Sequence, residues 1–153
     1  MSRKNIRSRV GIVIATHGKL SEGLISAAEL ICGPQNGVRT LKLELGDNPE
    51  ALDEKFLEAV KAAEAGSGVL ILLDLLGGTP SNRCAFLISR SSNIEAVSGV
   101  NLPMLLEVLL NREYCDLQKL TKIAEEKARE GIVNIRKKLE ELKTSGGPYF
   151  SRI

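Results

Sequence analysis

The sequence predicts an α/β protein: an open parallel sheet of about four strands with helices on both faces. Three observations carry this. Short apolar runs alternate with segments whose apolar residues recur at three- and four-residue steps. The two most apolar runs, 10–15 (VGIVIA) and 69–73 (VLILL), are nearly continuous, as in strands buried on both faces. Gly- and Pro-rich stretches punctuate the chain between elements. Such alternation implies right-handed crossovers and a parallel sheet. The 153 residues suit one domain. It is expected over 10–143, between a flexible basic leader at 1–9 and a short loop-like tail at 144–153.

The elements follow in order. VGIVIA is the first strand. A helix over 21–31 places Leu24, Ala27, Ala28 and Ile31 on one face, and Gly33-Pro34 stops it. The stretch 38–45 (VRTLKLEL) alternates, which suits a strand near an edge. After the turn at Gly46 to Pro49, the residues Leu52, Phe56, Leu57, Val60 and Ala63 mark a helix that ends by Gly66, with Pro49 in its first turn. VLILL is the central strand. It runs into the loop Asp74-Leu75-Leu76-Gly77-Gly78-Thr79-Pro80. A helix is expected over 81–89, with Thr79 as its cap and Pro80 near its first position. The stretch 94–98 (IEAVS) is a fourth strand, Gly99 to Pro103 a turn, and 104–111 a helix. From Leu117 to Leu142 the apolar positions Leu120, Ala124, Ala128, Ile132, Ile135 and Leu139 predict one long amphipathic helix with Gly131 as a weak point.

Composition excludes several functions. Aromatic residues are 3% of the chain and there is no Trp, so a stacking platform for single-stranded nucleic acid is not expected. A net charge of +2 is too small to point to a polyanion partner. Cys32, Cys84 and Cys115 are widely spaced, with no C-x-x-C and no Cys/His cluster, so no metal site is expected and reduced thiols in the cytoplasm are. No apolar run approaches the ~18 residues of a membrane-spanning helix, and the leader MSRKNIRSR lacks the apolar segment of a signal peptide. A nucleotide-binding P-loop and a G-x-S-x-G elbow are both absent.

Open parallel sheets bind ligands outside the carboxyl ends of their strands. Three polar, glycine-rich strand ends should meet there: Thr16-His17-Gly18, Asp74 to Pro80, and Gly99 to Pro103. His17 is the only histidine, and imidazole is both a nucleophile and a group that titrates near neutrality. Asp74, between leucines at a strand end, needs a partner. A histidine N–H supplies one, and the bond would leave the other ring nitrogen free to attack. Gly77, Gly78 and Thr79 lead into a helix whose first N–H groups lack internal partners, a ready anion site. Together these features suggest a phosphorylated histidine. Each also has a plainer reading: a structural histidine, a loop carboxylate, a tight turn, a helix cap. Asn101-Leu102-Pro103 is first of all a turn.

The blocks "GIVIATHGKLSEGLISAAELICG", "GVLILLDLLGGTPSNRCAFLI" and "AVSGVNLPMLLEVL" resemble, in order and spacing, the IIA component of the mannose-type (mannose/fructose/sorbose) bacterial phosphoenolpyruvate-dependent phosphotransferase system (PTS), over about 10–139. The resemblance implies a phosphotransferase with no cofactor. His17 would receive a phosphoryl group on Nε2 from the phosphohistidine carrier HPr and pass it to a IIB component for sugar uptake. Asp74 would hold the other ring nitrogen, and Thr79 would bond the phosphate. Gly18, Gly77 and Gly78 would give it room, with Asn101, Pro103 and Met104 at the rim facing partners. It also implies a homodimer that exchanges an antiparallel edge strand, expected near Cys115 or in the tail. The chain stops soon after the matching blocks, so IIB is expected on a separate chain. Family members often carry an aromatic residue just before the glycine pair, where this chain has Leu76. Two alternatives within the resemblance are a stand-alone regulatory phosphorylation sensor and a dihydroxyacetone kinase phosphocarrier subunit.

Overall fold

The computed structural model describes residues 8–44 and 46–145. Four parallel strands form one sheet in the order β2-β1-β3-β4: β1 is Arg9–His17, β2 Val38–Leu43, β3 Gly66–Leu73 and β4 Ile94–Ser98. The intervening helices are α1 (Leu20–Cys32), α2 (Pro49–Ala63), α3 (Gly78–Ile88) and α4 (Leu102–Asn111), followed by α5 (Leu117–Glu130) and α6 (Ile135–Ser145).

Alternation along the strands separates two cores. Val10, Ile12, Ile14, Leu70 and Leu72 face α1, α4 and α5, together with Ala28, Met104, Leu105 and Leu120. Val13, Ala15, Val69, Ile71 and Leu73 face α2 and α3, with Leu52, Phe56 and Cys84. Side chains two apart share a sheet face, so runs apolar at every position need cover on both sides. VGIVIA and VLILL have it, which explains why they occupy the two central strands. The edge strand β2 keeps only Leu41 and Leu43 buried, as its alternating pattern requires.

The order 2-1-3-4 places a topological switch between β1 and β3. From β1 the chain crosses by α1 to β2 on one side, and from β2 it crosses by α2 over the other face to β3. The carboxyl ends of β1 and β3 therefore open a crevice between diverging connections.

Three expectations are corrected. Helix α3 begins at Gly78, with Gly77 at its N-cap position, so Thr79 lies in the first turn and is not the cap. Pro80 is tolerated there because first-turn N–H groups have no helical acceptor to lose. The long helix is two. Gly131 ends α5, its N–H bonding to Lys127 O at 3.0 Å, and Asn134 restarts the chain as α6 by accepting from Lys137 N at 3.1 Å. Arg9, expected in the leader, belongs to β1, and residues 1–7 of that expected leader lie outside the described residues.

The segment around Cys115 forms no strand. Asp116 there caps α5 by accepting from Lys119 N at 2.8 Å. The tail from 146 onward, the other expected place for an exchanged strand, lies outside the described residues. Among the described residues, no helix is long and apolar enough to cross a membrane.

Candidate functional site

His17 is the last residue of β1 and registers against Leu43 of β2. Its neighbour Thr16 is fully buried and its Oγ1 accepts the N–H of Ser21 at 2.6 Å, which fastens the start of α1 beneath the strand end. Gly18 makes the turn at φ +57°, and its N–H bonds to Leu43 O at 3.2 Å. A Cβ on Gly18 would meet nothing within 4 Å, so left-handed backbone, not crowding within the chain, explains the glycine there.

Asp74 follows directly after β3, beside β1. Its carboxylate grips His17 twice. Oδ2 accepts the backbone N–H of His17 at 2.9 Å, and both oxygens lie 3.1 Å from the ring Nδ1. The ring is 55% exposed and the carboxylate 16%. A carboxylate only accepts, so this geometry suits a proton on Nδ1, and in the neutral ring Nε2 then keeps its lone pair on the side away from Asp74. A neutral histidine held this way is a nucleophile with a fixed tautomer.

Opposite the ring stands the start of α3. Gly77 and Gly78 take φ of +117° and +73°, values that a side chain would strain. Gly77 has no side chain to cap the helix, and among the described residues the N–H groups of Gly78 and Thr79 have no acceptor. Unbonded N–H groups at a helix start, together with the positive end of the helix dipole, stabilise an anion. Thr79 and Pro80 share with His17 an open recess of about 210 Å³, whose other wall is Leu43, Glu44, Gly46, Asp47 and Leu52. The two carboxylates of that wall are matched by ammonium groups, Lys42 on Glu44 and Lys55 on Asp47, each at 2.7 Å. Each lysine holds its carboxyl below the usual carboxylate range. The wall is therefore charged but balanced, and does not by itself repel an anion.

The structure thus brings His17, Gly18, Asp74, Gly77, Gly78 and Thr79 to one sheet edge. It gives Asn101, Pro103 and Met104 other duties. Asn101 caps α4, accepting from Met104 N at 3.0 Å, and donates to Ala128 O of α5 at 3.0 Å. Pro103 packs against Gly131. Met104 is fully buried in the core, which corrects its expected place at a partner-facing rim. Two contributors escaped the sequence reading. In sequence Thr16 reads only as a strand-end residue and Ser81 only as the start of a helix, yet Ser81 Oγ accepts the N–H of Gly77 at 2.9 Å. A hydroxyl residue four positions after a cap glycine was the available signal.

Comparison with known proteins gives a consistent picture. A family model described as the PTS system fructose IIA component matches residues 11–125. The chain is 35% identical over 130 residues to the PTS system mannose-specific EIIAB component of Escherichia coli (strain K12), a match covering 84% of this chain and 40% of that protein. It therefore spans well under half the length of these two-component relatives. It is 31% identical over 136 residues to the PTS system fructose-specific EIIA component of Bacillus subtilis (strain 168), covering 89% of this chain and 93% of that one. The crystal structure of a phosphotransferase system component EIIA from Streptococcus agalactiae matches with a TM-score of 0.75 at 30% identity, over 84% of this chain and 98% of that one.

Proposed function

This chain belongs to the mannose-type family of PTS IIA components, and on that footing we propose that it is a phosphocarrier whose His17 Nε2 carries the phosphoryl group. The observation that carries the reading is the paired hold of Asp74 on Nδ1 at 3.1 Å, which leaves Nε2 open.

The Nε2 lone pair of His17 attacks the phosphorus of a phosphohistidine on HPr. The N–P bond of the donor breaks, and its imidazole leaves with the electron pair. The proton stays on Nδ1 of His17, and the ring becomes cationic against Asp74. The reverse exchange on a histidine of a IIB component returns His17 to its starting state. Asp74 stabilises the charge that develops on the ring. The N–H groups of Gly78 and Thr79 and the Thr79 hydroxyl hold the equatorial oxygens, and holding and positioning are most of what phosphoryl transfer requires.

Protein partners suit the surroundings. Leu75 and Leu76, both exposed, follow Asp74 and give a docking protein an apolar rim in place of an aromatic one. The homodimer belongs to the same proposal. It is supported by Ile132, Val133 and Ile135, which the link to α6 leaves exposed. The relay places the protein in the cytoplasm, where phosphoenolpyruvate feeds it.

Labelling with phosphoenolpyruvate, enzyme I and HPr, followed by 31P NMR, tests the chemistry. Phosphorus on Nε2 that disappears when a IIB component is added is the expected result. Phosphorus on Nδ1 or on a hydroxyl would overturn the assignment.

A further inference from the structure

We propose that Ser81 is a positioning residue for the phosphoryl group, acting through the Gly77-Gly78 loop; this rests on the phosphocarrier reading. Ser81 is 7% exposed, on the fourth position of α3. Its hydroxyl does two things at once. It accepts the N–H of Gly77 at 2.9 Å and leans its proton toward Gly78 O at 3.4 Å.

This bond acts like half of a capping box moved on by one residue: the box uses the third helical position, here Pro80, whereas Ser81 at the fourth reaches back to the N–H of the cap residue. The other half is missing, because Gly77 has no side chain to offer the helix. The pattern fits an anion. A serine or aspartate at the cap would fill the N–H groups of the first turn and compete with a phosphate for them. A glycine leaves them free, but two successive glycines at positive φ have little of their own to fix them. Ser81 supplies the fixing from below. It ties the amide of Gly77 and leaves those of Gly78 and Thr79, among the described residues, without an acceptor at the helix start, with Thr79 lining the recess beside His17. Pro80, between Thr79 and Ser81, has no N–H to offer and a fixed φ. Ser81 itself does not reach the phosphoryl group.

The test compares wild type, Ser81→Ala and Ser81→Thr in rapid-quench phosphorylation by phospho-HPr over a range of donor concentrations. Loosening the loop misplaces donors that act only on the transferring group. Ser81→Ala is therefore expected to lower kcat about 10- to 100-fold, with the KM for phospho-HPr within about twofold of wild type. Ser81→Thr, which keeps the hydroxyl, should recover kcat to within about threefold. Faster amide exchange at Gly77 in Ser81→Ala alone would accompany this. A wild-type kcat in Ser81→Ala, a change confined to KM, or equal impairment in Ser81→Thr would each overturn the role of Ser81 while leaving His17 as the carrier. Failure of wild type itself to take up phosphate would remove the phosphocarrier reading, and the Ser81 proposal with it.

Discussion

Replacing Asp74 with Asn changes one atom and removes one charge, and the geometry says what that does. The carboxylate accepts both the backbone N–H of His17, at 2.9 Å, and the Nδ1 proton. An amide has a single oxygen to accept with. If that oxygen keeps the backbone N–H, the NH2 group faces Nδ1 and favours the tautomer with its proton on Nε2, the nitrogen that must attack. If the amide flips, an N–H meets an N–H. The charge matters separately. Two unit charges 3.1 Å apart attract by about 1.3 kcal/mol in bulk water and about 5 kcal/mol at an effective dielectric of 20. The ring is 55% exposed, so the lower part of that range applies. A loss of ~2–3 kcal/mol from the transition state corresponds to phosphoryl transfer slowed ~30- to 150-fold. Rapid-quench transfer from phospho-HPr measures it, with circular dichroism confirming an unchanged fold. Transfer within about threefold of wild type in a folded Asp74→Asn protein would refute the orienting and stabilising role of the carboxylate.

Three other outcomes are expected. Asn101→Ala removes the cap of α4 and the bond to Ala128 O, and should cost ~1–3 kcal/mol in urea unfolding; an unchanged midpoint would show that the tie between α4 and α5 is idle. Burial pushes the Cys84 thiol up to about 11, so iodoacetamide at pH 8 should leave it unmodified until the protein is unfolded, whereas early labelling would contradict its place in the core. Asp53 is held below the usual carboxylate range by its bond to Arg83. Its contribution is present above the unfolded Asp pKa of about 3.9 and is lost as pH falls through the lower folded value. The stability gap between wild type and Asp53→Asn should therefore close below about pH 4, and a gap that widens on acidification would reverse the assignment.

Most of the fold was legible because it depends on patterns local to each segment. VGIVIA and VLILL read as doubly buried strands and occupy the two central positions of the sheet; VRTLKLEL read as an edge strand and β2 is one. The start of α3 was less legible. Pro80 normally marks a first helical position, but any first-turn position spares its missing N–H, so the boundary was free to move back to Gly78. The break at Gly131 depends on a neighbour distant in sequence, since a Cβ there would lie 2.5 Å from the Pro103 ring. Periodicity carries no information about such an approach. The meeting of His17 with Asp74 was legible through topology, as the ends of adjacent central strands. A turn motif at a strand end suggests a rim position for Met104. The run Met104, Leu105, Val108 and Leu109 instead forms the buried stripe of α4.

The central claim is that His17 carries the phosphoryl group, and intact-mass measurement after incubation with phosphoenolpyruvate, enzyme I and HPr tests it most directly. One acid-labile phosphoryl adduct on the wild-type protein, absent from His17→Ala, is the predicted result. An unlabelled wild-type protein, or normal labelling of His17→Ala, would contradict it.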